Sequence, residues 1–205
     1  TQRRREALAV AFLCSAREFD ELPVRHNEDL ENGQLASQLL DDDAETIQGL
    51  LELGYDSPHA KAQLLIHAKL RDGKLPVADY ATDQRSVLEQ APRVLAALID
   101  VAADAGCVNA TLALLELSQA IRTSCSATRD ALCQLSLSDA AAQKLRASSG
   151  FPRKGEVSEL KPQHVAKLPA HASRLLEALP RHSKLSAKTV AEVEAGGEFS
   201  VEVTL

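Results

Sequence analysis

The sequence contains no methionine, at position 1 or anywhere else in its 205 residues, and from this we expect a segment of a longer protein. It also lacks an apolar run of the roughly 18 residues that a membrane helix needs. Its longest, Leu8 to Cys14, is too short to cross a bilayer, so no membrane partner is expected. Arg3, Arg4 and Arg5 before that run imitate the opening of a signal peptide, but Ser15 to Asp20 continues it as a helical surface rather than a cleavage site. No CxxC pair occurs. Cys14, Cys107, Cys125 and Cys133 lie among helical apolar stripes, which predicts buried free thiols in a reducing, intracellular compartment. There is no surplus of positive charge: the formal net charge of −6 argues against non-specific nucleic-acid binding by the whole surface, yet leaves room for one strand-contacting face.

The chemical signatures of a motor are missing too. Nucleotide hydrolysis needs a glycine-rich loop with a phosphate-contacting Lys and a carboxylate that holds magnesium. Neither a GxxxxGK[ST] pattern nor a DExH box is present, which argues against ATP hydrolysis by these residues alone. His26, Glu28 and Asp29 are metal-ligating types, but Arg25 beside them makes hydrogen bonding and ion pairing the better reading. His59 and His67 stand eight apart, whereas two ligands on one helical face want a spacing of three or four. His164, His171 and His182 are scattered. Nothing sets a base beside Cys107 or Cys125, so no catalytic residue, metal or cofactor is assigned to these residues.

What is present is helical. With 45% hydrophobic residues and only nine glycines, the composition suits a globular, mainly α protein large enough for a substantial core. Residues 4–18 read as a helix with Leu8, Phe12 and Ala16 in line, followed by an extended segment at Pro23 and a helix over 28–40. The three charges of Asp41, Asp42 and Asp43 suit the start of the next helix. Ser57-Pro58 is a strong start signal for a helix to about Leu70, stopped at Asp72-Gly73. The most regular stretch spans 83–105, with Val87, Ala91, Val94, Leu95, Leu98, Val101, Ala102 and Ala105 as its apolar stripe and Gly106 as a left-handed cap. Ser86, Gln90, Arg93, Asp100 and Asp104 fall opposite, and Pro92 is expected to kink it. Asn109 is read as the cap of a following helix, with short helices near 129–135 and 138–148. Residues 149–163 form a Gly/Pro/Lys-rich break, followed by helices at 162–167 and 170–179. Phe199, Val201, Val203 and Leu205 then alternate like a strand. The expected architecture is a helical bundle over 1–148, a linker and helix-loop-helix over 149–186, and the opening strands of a truncated β-sandwich over 187–205.

Three motifs narrow the reading further: PVRHNED at 23–29, DSPHAK at 56–61 and DYATD at 79–83. In this order they resemble the Sec-sixty-three-type module that follows the motor lobes of tandem-cassette, Ski-two-like helicases, above all those of cointegrator and splicing complexes. The resemblance is strongest over 17–135. It implies a bundle, a helix-loop-helix and a fibronectin-type-III-like sandwich. It also implies a non-catalytic accessory part of an ATP-dependent RNA or DNA helicase, with ATP and magnesium belonging to the longer protein. The helix over 83–105 corresponds to one that lies along the unwound single strand, which makes Gln90, Arg93 and Ser86 the strand-facing candidates. Arg25, His26, Asn27, Glu28 and Asp29 become the candidate interface with the motor lobes of the same chain. Implied partners are single-stranded RNA or DNA and protein subunits of a larger nuclear or cytoplasmic complex. Cys107 and Ser126 stand where the family usually has Trp. That departure keeps a second reading open, a protein-interaction platform of a degenerate cassette in splicing, DNA repair or ribosome quality control.

Overall fold

The structure is a computed structural model that describes residues 2–40, 43–126, 128–153 and 157–178. Among these the fold is helical, and the strand pattern at 187–205 with its β-sandwich lies outside them.

Helix α1 (Gln2–Cys14) is followed by a 3-10 turn at Arg17–Phe19, so the predicted continuous helix to residue 18 is broken. Its inner face also differs from the expected stripe. Val10, Leu13 and Cys14 are buried, whereas Leu8 is 58% and Phe12 50% exposed. The run Leu8 to Cys14 is apolar all round, so spacing alone could not choose which side turns inward.

Helix α2 (Glu28–Leu40) occupies the predicted span. Asp43 caps α3 (Ala44–Leu53), its Oδ1 accepting from Thr46 N at 3.2 Å. Ser57 caps α4 (Pro58–Leu70) by accepting from His59 N at 3.2 Å, with Pro58 in the first turn, where its missing amide costs no hydrogen bond. At the far end Asp72 takes the left-handed conformation (φ 55°), and Gly73 N donates back to Ala68 O at 2.8 Å. Helix α4 is the axis of the bundle. It touches α1, α2, α3, α5 and α6, and its residues 60–68 and Leu70 are buried or nearly so. A helix apolar on all sides belongs in an interior, and here that interior also encloses Lys61 and His67.

Helix α5 (Asp79–Asp104) begins four residues before the expected start. Val87, Ala91, Val94, Leu95 and Ala102 are buried as the stripe predicts, Leu98 is half-buried, and Val101 and Ala105 are exposed. The stripe fails at its end because α6 (Val108–Thr123) turns back along only one side of α5. The turn between them closes as expected at Gly106 (φ 67°), with Gly106 N donating to Ala103 O and Cys107 N to Ala102 O. Asn109 does not cap α6. The capping position is Cys107, which makes no side-chain cap bond and is exposed, contrary to the expected buried thiol; Cys14, Cys125 and Cys133 are buried.

The remaining elements are a 3-10 turn at Ala131–Leu135 where a short helix was expected, α7 (Asp139–Ala147) capped by Ser138, a 3-10 turn at Val157–Glu159, α8 (Pro162–Val165) and α9 (Ala170–Ala178). Two apolar clusters result. The first joins α1 to α6; the second gathers Cys125, Leu132, Leu135, Ala142, Phe151, Val157, Leu168 and Ala172. The division between them falls at 121–125, and the second cluster draws side chains from both sides of residue 149. Ser126 stitches the two together, donating its amide to Leu70 O (3.0 Å) and its hydroxyl to the Glu6 carboxylate (2.7 Å).

Candidate nucleic-acid interface

The three sequence motifs, separated by up to 60 positions, meet at one point. Lys61 of α4 is wholly enclosed. Its ammonium donates to Glu28 Oε2 at 2.6 Å, Asp83 Oδ2 at 2.7 Å and Pro23 O at 2.7 Å, and lies 4.7 Å from the centre of the Tyr80 ring. Three acceptor oxygens and a ring face satisfy a buried ammonium, which alone would be costly to desolvate. Arg25 completes the cluster. Its Nη1 donates to Glu28 Oε1 at 2.9 Å and Asp83 Oδ2 at 2.7 Å, and its Nε lies 3.6 Å from Asp79 Oδ2.

Local structure explains why these groups converge. Glu28 N donates to Arg25 O (3.2 Å) while Arg25 N donates to Glu28 Oε2 (3.0 Å), closing a tight turn around Asn27, whose φ is 67°. Asn tolerates that left-handed conformation better than most side chains. Tyr80 lies in the first turn of α5; its hydroxyl donates to Asn32 Oδ1 at 2.8 Å, and Asn32 Nδ2 donates to Tyr55 O at 2.7 Å. Burial alone pushes the Glu28 and Asp83 carboxyls up, but the hydrogen bonds from Lys61 and Arg25 outweigh it and hold both below their ordinary values. The contacts with Asp83 and then Glu28 raise the Arg25 guanidinium further above its usual range. Two cations and two anions therefore cancel, and the cluster is a fastening between α2, α4 and α5.

The segment 25–29 divides accordingly. Arg25 and Glu28 serve the cluster, whereas His26, Asn27 and Asp29 are exposed beside a groove lined by Val24, Leu30, Gly33 and Tyr55. On α5, Ser86 and Arg93 are exposed and Gln90 is half-buried, spaced i, i+4, i+7 along one side. Arg93 Nη2 lies 3.5 Å from Glu18 Oε1, a loose surface contact that leaves the Arg93 side chain 74% exposed. Asp100 and Asp104 follow on the exposed surface, while exposed Glu89, 2.9 Å from Arg85, lies between Ser86 and Arg93.

Other reactive groups are held inert. Burial raises the pKa of Cys14 and Cys125, and burial with the Asp139 contact pushes Cys133 up to about 12, so all three remain thiols. His59 secures the end of α1, its Nδ1 lying 2.6 Å from Cys14 O and its Nε2 3.1 Å from Asp20. His67 is fully buried and its pKa falls to about 3, first through burial and then through Arg71. Among the described residues no group of three or more His, Cys, Asp or Glu could hold a metal ion, and no helix is long and apolar enough to cross a membrane.

Sequence reasoning missed Lys61, Tyr80 and Asp83. The signal was available: stepping the α5 stripe back from Val87 by four and by seven lands on Asp83 and Tyr80. Both are charged or polar groups at buried positions, and such groups need partners.

The Sec63 Brl domain family matches residues 1–205. Activating signal cointegrator 1 complex subunit 3 of Rattus norvegicus is 43% identical over 115 residues, covering 55% of this chain and 5% of that protein. DExH-box ATP-dependent RNA helicase DExH14 of Arabidopsis thaliana is 38% identical over 111 residues, covering 54% of this chain and 5% of that protein. RQC trigger complex helicase SLH1 of Saccharomyces cerevisiae is also 38% identical over 111 residues, covering 54% of this chain and 6% of that protein. The chain thus matches only about a twentieth of the length of these relatives. It belongs to the Sec63 Brl domain family.

Proposed function

We propose that this module guides one unwound strand of RNA or DNA and links it to the ATP-dependent motor lobes of a longer helicase chain. The observation that carries the reading is the side of α5 that precedes Asp100. There Ser86, Gln90 and Arg93 lie in line on a helix that the charge cluster fixes at its N-terminal turn. A strand contact needs such a rigid rail with an accessible cation, and Arg93 can both bind a phosphate and stack on a base. Asp100 and Asp104 repel phosphate and confine the contact to the part of α5 before them. His26, Asn27 and Asp29 face outward, where motor lobes can meet them, with ATP and magnesium bound by those lobes. The setting is a nuclear or cytoplasmic nucleic-acid-processing complex.

The test is Arg93→Ala in the longer helicase, read as single-strand affinity at two salt concentrations. One charge-assisted contact is worth about 1–3 kcal/mol, so affinity should fall roughly 5- to 150-fold and the salt slope should decrease by about one. Stability should barely move, because an exposed ion pair such as Arg93–Glu18 contributes about 0–1 kcal/mol. Unchanged affinity and slope reject strand guidance.

The second reading, a protein-docking platform, is favoured by a different observation. Leu8, Phe12, Val108, Leu112 and Leu115 on α1 and α6 are all about half exposed or more, around an apolar groove lined by Leu8, Phe12 and Ala113.

A further inference from the structure

We infer that Arg25 is a positioning residue that transmits the state of the motor lobes to α5, through its contact with Asp83. This rests on the reading of α5 as the strand-bearing helix. Four observations lead to it. The 25–29 segment presents His26, Asn27 and Asp29 outward while Arg25, next to them in the chain, grips α5. Arg25 holds two successive turns of that helix, with Asp83 Oδ2 at 2.7 Å, Asp83 Oδ1 at 3.4 Å and Asp79 Oδ2 at 3.6 Å. Its side chain is 42% exposed and borders a groove of about 1200 Å³, so a docked body reaches it directly. Asp83 Oδ2 is shared between Arg25 and the immobile Lys61, so a shift of Arg25 changes how Asp83 is held without unfolding the cluster.

Asp83 precedes Ser86 by one turn, Gln90 by two and Arg93 by about three, roughly 15 Å along a stiff rod. A small rotation at the first turn therefore re-aims the strand-facing side chains together. Lys61, buried and triply bonded, cannot play this part because nothing outside the fold touches it. Glu28, also buried, closes the turn that sets Arg25. Only an element that two sites both bias can couple them, and Arg25 is where the outward segment and α5 meet.

The experiment uses the longer helicase chain with its motor lobes and the variant Arg25→Lys, which keeps the charge but loses the planar fork that holds two carboxylates. A dye-labelled oligouridine is titrated without nucleotide and with a non-hydrolysable ATP analogue plus magnesium, and the ratio of affinities measures the coupling. Couplings of this kind usually amount to about 5- to 150-fold in the parent protein. In Arg25→Lys the ratio should fall to within about twofold, while nucleotide-free affinity changes by less than about threefold. An unchanged ratio overturns the inference, as does a parent ratio of one. So does an equal loss in both nucleotide states with a lowered melting temperature, the mark of a merely structural role. If Arg25→Lys does not fold, Asp79→Asn at the exposed end of the contact replaces it: a reduced ratio supports the inference and an unchanged one overturns it. Arg93→Ala measured alongside separates the two claims. Its failure to weaken nucleotide-free binding refutes strand guidance by α5, while the ratio in Arg25→Lys tests the transmission on its own.

Discussion

Removing the Lys61 ammonium is the sharpest perturbation of this fold. Lys61→Met keeps a flexible stem of similar length, so the cavity term is small and the loss is electrostatic. What remains is Arg25 facing two carboxylates, Glu28 and Asp83, each about 5% exposed. Breaking a buried pair by removing one partner costs about 3–5 kcal/mol, because the other charge stays desolvated. For a domain of this size, each kcal/mol lowers the melting temperature by about 2–4 °C, so a fall of about 6–20 °C is expected. Urea unfolding should show a lower midpoint with an unchanged slope. Lys61→Met combined with Asp83→Asn removes one charge of each sign and should lose less than the sum of the two single variants, by about 0.5–3 kcal/mol. A loss below about 1 kcal/mol in Lys61→Met would refute the claim that the cluster fastens the fold.

The pH dependence supplies an independent check with a definite sign. Glu28 and Asp83 have folded pKa values held below their ordinary 4.5 and 3.8. Such groups contribute stability above the unfolded values and lose it as the pH falls through the depressed folded values. Without Lys61 the depression shrinks and burial is less opposed, so protonation relieves surplus negative charge. Lys61→Met should therefore lose less stability than the parent when acidified below about pH 4.5.

Acidification also reaches His67, whose folded pKa of about 3 lies below its ordinary 6.5. The folded state keeps it neutral while the unfolded state takes up a proton, so stability falls as pH drops from about 6.5 toward 3, and His67→Leu should flatten that slope in urea midpoints measured across the range. Gly73→Ala places a methyl against the Leu39 side chain and 3.3 Å from Ala68 Cα; a loss of about 1–3 kcal/mol by thermal unfolding is expected, and none would show that the α4 turn has slack. Pro92 is exposed within α5 and supplies no amide, so Pro92→Ala should stabilise the chain by about 1 kcal/mol, less than the roughly 3 kcal/mol helix penalty, whereas a clear loss would show that packing requires the proline.

The sequence made the helix ends of this fold legible wherever a side chain or a left-handed residue enforced them. Ser57-Pro58, Asp43 and Gly106 each act within one turn of chain, so their signals are complete in the local sequence. The inner face of α1 was not legible, because Leu8 and Val10 are equally apolar and only α4 and α6 decide which is covered. The same holds for Val101: its stripe position was right, but α6 does not cover it. The candidate site divides along this line too. The spacing of Ser86, Gln90 and Arg93 placed them on one side of a helix. The inward turn of Arg25 and Glu28 could not be foreseen without knowing that Lys61 and Asp83 wait there.

This division bears on what the three motifs mean. Motifs that mark a family are readily taken as its contact surface, and on that basis all of 25–29 was expected to face the motor lobes. In this chain Glu28, Lys61, Tyr80 and Asp83 are buried against one another, and Arg25, 42% exposed, joins them from the surface. Glu28, Lys61 and Asp83 are buried members of a quartet with no net charge, and they tolerate substitution poorly, since changing one strands another. The candidate strand-facing residues carry no such constraint: Ser86 and Arg93 are exposed and pack against nothing in the core. On the proposed strand-guiding reading, recognition can therefore change at positions 86, 90 and 93 while the motifs stay fixed. On that reading the motifs report where α5 is held, and the residues along its exposed side are proposed to decide what it holds.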